Sequence, residues 1–152
     1  MRNKIKQKLQ RNKQFKFVNF LLKKGKKQKA ESLLKKSFKV MQKKKLKNTS
    51  LLIKSALLNS APILNVKHLK SRRSQKKQVL IPIFLNKMER VLFSMKSIIR
   101  NCQTLSQNAP TYDKLKTELL QSSLEQSKTV KTKKTIHKSA YSNYTTAHYR
   151  WF

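Results

Sequence analysis

The groups in this sequence that could do chemistry are almost all fixed positive charges, and they are gathered rather than scattered. Lys4, Lys6, Lys8, Arg11 and Lys13 stand near the start; Lys24, Lys26, Lys27 and Lys29 surround the chain's one glycine, Gly25; Lys43 to Lys47 follow. Further on come Lys70, Arg72, Arg73, Lys76 and Lys77, and then Lys131, Lys133, Lys134 and Lys138. The last segment, "AHYRWF", adds the flat faces of His148, Tyr149 and Trp151 and the guanidinium of Arg150. Ammonium and guanidinium groups neutralise phosphates, and aromatic faces stack on exposed bases.

Other chemistry lacks its parts. The five acids, Glu31, Glu89, Asp113, Glu118 and Glu125, are widely separated, and a single glycine cannot build a phosphate-cradling loop. His68, His137 and His148 show no metal-ligand spacing with Cys102, and no nucleophile motif surrounds any serine. The expectation is a non-enzyme without metal, cofactor or small-molecule substrate.

Against five acids stand 38 lysines and arginines, a formal charge of +33 over 152 residues. So few acids cannot pair so many cations, and the compensation expected is a polyanion, whose binding releases condensed counterions. A charge run is ordinarily just a solvated face, a reading that weakens at this net charge. An anionic membrane surface would also attract the chain, but the apolar run "VLIPIFL" at 79–85 is far short of a span. The lone Cys102 reads as a reduced core thiol. The basic, acid-free N-terminus reads as a retained arm, with an organellar targeting peptide as the alternative. The excess of lysine over arginine has no advantage at phosphates, where arginine's fork is superior, and points to an AT-rich coding bias.

These groups must be positioned by elements. Scarce glycine and helical spacing of apolar residues predict a mainly α chain. Phe17, Val18, Leu21 and Leu22 form a stripe ending at Gly25; Ala30, Leu33, Leu34, Phe38 and Met41 form a second, and the two helices are expected to pair. Asn48, Thr49 and Ser50 offer caps for a third helix bearing Leu51, Leu52 and Ala56, which ends at Pro62. Residues 63–85 then change period and predict two strands joined by "KSRRSQKK", with Pro82 confining its strand to an edge or a lone ribbon. Arg72, Arg73, Lys76 and Lys77 fall at the ribbon tip, anchored by Ile81 and Ile83. Val91, Leu92, Met95, Ile98, Ile99 and Cys102 make the clearest amphipathic helix. A fifth helix starts near Thr111 with Tyr112, Leu115, Leu119 and Leu124 inward, and a last one from about Lys131 has Ile136, Ala140, Tyr144 and Ala147 on its apolar line. The sum is about six helices in one domain, residues 15–152, behind a basic arm, 1–14.

Three stretches carry a resemblance. "KFVNFLLKKGKKQKAESLL" at 16–34, "LKSRRSQKKQVLIPIFL" at 69–85 and "VKTKKTIHKSAYSNYTTAHYRW" at 130–151 resemble, in order and separation, the small-subunit ribosomal protein seven family of bacterial and organellar type. The resemblance implies six helices with a protruding β-ribbon between the third and fourth, and binding to the 3′ major (head) domain of small-subunit rRNA early in head assembly. It also implies that the ribbon and last helix face the exit-site tRNA and the mRNA exit path, among neighbouring head and platform proteins. The sequence departs from the family at the ribbon turn, where "SQKK" replaces paired glycines, and in the arm, which lacks the bacterial proline and aspartate motif. Those departures, with the lysine bias, imply an organelle-encoded, mitochondrial version, with another organelle or the bacterial cytoplasm as the alternative. A basic nucleoid or DNA-packaging protein is the competing reading, since it would share the charge without needing the ribbon.

Overall fold

The computed structural model describes residues 16–43, 49–70, 78–104 and 109–149. Over these it contains six α-helices and one β-hairpin: α1 (16–21), α2 (Lys27–Lys43), α3 (Thr49–Ser60), β1 (Leu64–Lys70), β2 (Gln78–Phe84), α4 (Lys87–Thr104), α5 (Thr111–Ser123) and α6 (Lys128–Ser142). A short 3-10 helix, Tyr144–Tyr149, follows α6. The hairpin lies between the third and fourth helices, as the sequence predicts. The expected capping residue Asn48 and the arm lie outside the described residues.

Helix α4 is the centre of the core because its apolar positions recur on one face. Met95, Ile98, Ile99 and Cys102 are buried there, with Val91 packed at the margin. Around it gather Phe17 and Val18 of α1, Ala30, Leu34 and Met41 of α2, Ala56 and Leu57 of α3, and Leu115 and Leu119 of α5. Helix α5 packs against α2, α3 and α4, which makes it the second central element.

Three leucines expected inside are not there. Leu51 is largely exposed while Leu57 is buried, because α3 is apolar on most sides and its sequence alone does not select a face. Leu22 lies past the end of α1 and is exposed. Leu124 is 67% exposed because it is the C-cap of α5: Gln126 N–H donates to Gln121 O (2.9 Å) and Glu125 N–H to Ser122 O (3.3 Å), the paired bonds of a Schellman turn that carries the chain away from the core. The final helix also starts one turn earlier than its charge pattern suggests, at Lys128, and so brings Val130 into the interior.

Among the described residues the two strands pair only with each other, antiparallel, with Leu64 opposite Phe84 and Val66 opposite Pro82. Leu85 N–H donates to Ile63 O (3.0 Å), so alternation along the ladder puts Val66 and Pro82 at a position where neither backbone nitrogen faces the partner strand. Proline therefore costs this sheet no hydrogen bond. Val66 N–H, also turned outward, donates to Asn65 Oδ1 (2.9 Å). Ile81 and Pro82 are buried, whereas Ile83 is half-buried.

Candidate RNA-binding surface

Two turns set the shape of the basic surface, and the first is Lys23 to Lys26. Lys24 and Gly25 have φ of +51° and +71°, and Lys26 N–H donates back to Lys23 O (3.2 Å). Positive φ at both central positions is the signature of a type I′ turn, and it accounts for glycine at the second of them. Among the described residues, chain neighbours aside, nothing lies within 4 Å of where a Gly25 side chain would begin, so the requirement is conformational, not steric. Lysine in the left-handed region costs roughly 1–2 kcal/mol. The result is a tight corner whose Lys23, Lys24, Lys26, Lys27 and Lys29 side chains are all exposed.

The second basic element is α6, whose start is fixed from below. Ser127 is the N-cap and its Oγ accepts from Val130 N–H (3.2 Å) and from Ser122 Oγ (3.0 Å). The first turn of α6 has no acid of its own. One arrives from α5 instead: the Glu118 carboxylate, 1% exposed, accepts from the Thr129 hydroxyl and from Thr129 N–H (3.4 Å), while Thr129 Oγ1 accepts from Asn101 Nδ2 (2.9 Å). A carboxylate at a helix N-terminus opposes the positive end of the macrodipole. Glu118 Oε2 has no partner among the described residues. One of the five acids is thus placed to orient a helix rather than to screen the surface, a role its isolated position in sequence gave no hint of.

Further along, α6 is tied to its neighbours. Lys133 Nζ donates to Asn59 O (3.0 Å), one of the terminal carbonyls of α3, and Asn59 Nδ2 donates to Ser122 O (3.2 Å) and Ser123 O (3.0 Å) at the end of α5. Cationic and amide donors at helix C-termini satisfy carbonyls that the helices leave open. Ile63 N–H donates to His137 Nε2 (3.0 Å), which fastens the foot of the ribbon to α6. Burial, then the nearby Lys133 and Arg90 charges, hold the His137 imidazole below its ordinary pKa. With Lys133 and His137 turned to these tasks, Lys131, Lys134 and Lys138 are left exposed. Their spacing of three and four residues sets them on one stripe.

The helix ends at Asn143, whose N–H and side-chain amide both reach Ser139 O (3.3 and 2.8 Å). The 3-10 turn beyond it has three residues per turn rather than 3.6, so the apolar line of α6 does not continue. Tyr144 is accordingly exposed rather than in the core, and Ala147 is half-buried. Thr146 Oγ1 donates to Leu80 O (2.5 Å), which closes the outer edge of β2.

Of the residues singled out in the sequence, Lys24, Lys26, Lys27, Lys29, Lys131, Lys134, Lys138 and His148 are exposed. Lys133 is half-buried and His148 ends the described side chains of the 3-10 helix. Lys4, Lys6, Lys8, Arg11, Lys13, Arg72, Arg73, Lys76, Lys77, Arg150 and Trp151 lie outside the described residues; for Lys70 and Tyr149 only the backbone is described. Lys116 Nζ pairs with Asp113 Oδ1 (3.0 Å). Cys102 is inert by position: burial first, and the Glu118 charge second, push its thiol up to about 12. No described helix is long and apolar enough to cross a membrane.

A helical body that exposes far more lysines than its five acids could neutralise, with a hairpin between its third and fourth helices, defines a protein built to meet a polyanion. Comparison with known proteins makes this specific. The family described as ribosomal protein S7p/S5e matches residues 2–144. The small ribosomal subunit protein uS7 of Syntrophus aciditrophicus is 32% identical over 136 residues, covering 90% of this chain and 85% of its own. That of Pelobacter propionicus is 33% identical over the same length and shares. The mitochondrial uS7m of Reclinomonas americana is 28% identical, over 90% of this chain and 83% of its own. The chain belongs to the ribosomal protein S7p/S5e family. That family is a structural, non-enzymatic class of the small ribosomal subunit, acting in translation.

Proposed function

We propose that this chain binds the head domain of small-subunit rRNA, nucleates assembly of the head, and lines the exit-site tRNA and mRNA exit region of a mitochondrial ribosome. The observation that carries the reading is the exposed lysine stripe of α6, a helix with no acid of its own, together with the exposed lysines of the Lys23–Lys29 corner, each held in place by fixed backbone and side-chain bonds. The N-terminal arm supplies further phosphate contacts, and head and platform proteins are the neighbours. The mitochondrial assignment is supported by the lysine bias and by the Reclinomonas relative.

Co-sedimentation with mitochondrial small subunits, followed by a salt series on an isolated head rRNA fragment, tests this. The protein is expected in the small-subunit peak, and log K is expected to fall by roughly 0.7 to 0.9 per phosphate neutralised for each decade of salt. Equal affinity for duplex DNA of the same length would favour the nucleoid-packaging reading instead. Neutralising Arg72, Arg73, Lys76 and Lys77 should leave head assembly intact while lowering exit-site tRNA occupancy. Failure of the subunits to form at all would make the ribbon tip an assembly anchor.

A further inference from the structure

Two tyrosines at the end of α6 have no place in the core. Tyr141 is 79% exposed and Tyr144 67% exposed, although tyrosine is a residue whose ring ordinarily contributes a large buried area. Their centroids lie 6.2 Å apart with the planes tilted by 34°, a loose ring pair that still leaves most of both rings open to solvent. Tyr141 also completes a series: Lys131, Lys134, Lys138 and Tyr141 follow at intervals of three, four and three, all exposed, on one stripe of a helix with no acid in it. Ten residues of α-helix cover about 15 Å. A row of ammonium groups therefore leads directly to an aromatic platform.

We infer that Tyr141 and Tyr144 form a stacking platform for an unpaired RNA base whose flanking phosphates lie along Lys131, Lys134 and Lys138. The inference rests on the RNA-binding reading above and makes it specific: the occupant is a single-stranded or bulged nucleotide, not a uniform duplex. Charge complementarity selects it. A stripe of three lysines favours an anionic backbone, and an apolar protein surface would gain nothing from them. The rings' faces then take the base without regard to its sequence, because every base has a π face. The phenol hydroxyls remain free to reach ribose or phosphate oxygens at the same time.

The test uses the full chain at moderate salt and two hairpin RNAs that differ only in one unpaired fluorescent purine analogue. The unmodified protein is expected to bind the bulged hairpin roughly tenfold more tightly and to change the purine's fluorescence. Tyr141→Ala or Tyr144→Ala should remove most of that preference while leaving the plain hairpin bound as before; Tyr141→Phe and Tyr144→Phe should keep it. If Tyr141→Leu keeps the preference in full, contact is apolar and not stacking, and the platform is refuted. If the unmodified protein binds both hairpins alike, the platform is refuted while RNA binding stands. Binding to neither hairpin would overturn both readings. Because both rings are exposed, circular dichroism should show the Ala variants folded as the parent is.

Discussion

Thr129 carries two buried bonds at once, donating to Glu118 and accepting from Asn101. Thr129→Val keeps the shape but leaves the Asn101 amide hydrogen without its acceptor and the Glu118 carboxylate with only the longer bond from the residue 129 N–H, which costs about 2–3 kcal/mol. The midpoint of urea unfolding should fall accordingly; a shift worth under about 0.5 kcal/mol would mean that water replaces the hydroxyl. His137 makes a different kind of demand, since accepting from Ile63 N–H requires Nε2 to be unprotonated. Its pKa is lowered from 6.5 in the fold, so the neutral form is the one favoured there. The stability this contributes is present above 6.5 and is lost as pH falls through the depressed value. Hydrogen-exchange protection of the Ile63 amide should therefore drop on acidification, and in His137→Ala it should be low at every pH. An Ile63 amide whose protection ignores pH would show that the imidazole is not its acceptor.

Helix ends, more than helix interiors, shape this molecule. The α5–α6 connection turns through Glu125 at φ +61°, the C′ position of a Schellman turn where glycine is the usual occupant. Glu125→Gly should raise stability by roughly 0.5–1 kcal/mol, read as a higher thermal midpoint. Gly25→Ala should do the reverse by about 1 kcal/mol, through backbone strain alone, because open space surrounds the position. Opposite signs at two left-handed positions separate this account from a general sensitivity of loops to substitution. The hairpin depends on the same kind of attachment: His137 holds its foot and Thr146 the outer edge of β2. Exposed backbone along a two-stranded ribbon is otherwise an invitation to pair with another chain.

A net charge of +33 sets two opposing salt dependences for the whole chain. Salt screens self-repulsion, with a Debye length of about 10 Å at 0.1 M, so the free protein's melting temperature should rise as salt is added. The same ions compete with counterion release, so affinity for rRNA should fall over the same range. Differential scanning fluorimetry and filter binding on one preparation would check both. A melting temperature that fell with added salt would point to stabilising internal ion pairs such as Lys116–Asp113.

The sequence by itself determined the class of fold, the place of the hairpin and the partner's charge, because each follows from local quantities: the period of apolar residues, the position of Gly25 and Pro82, and a surplus of lysine that no arrangement of five acids could neutralise. Family membership was legible too, in "KFVN", "KSRR" and "AHYRW" taken in order. What only the tertiary structure decided are matters of phase and of which partner lies across a helix boundary. Leu124 and Tyr144 continue an apolar spacing on paper, yet a Schellman turn and a 3-10 turn rotate them into solvent, since helical periodicity carries no information past the residue where the helix stops. Glu118, Asn101 and Thr129 are far apart in sequence and meet because α4, α5 and α6 converge at one helix N-terminus. Lys133 and Lys134 are adjacent and chemically identical, but a turn of about 100° per residue points one at the α3 carbonyl and leaves the other to solvent.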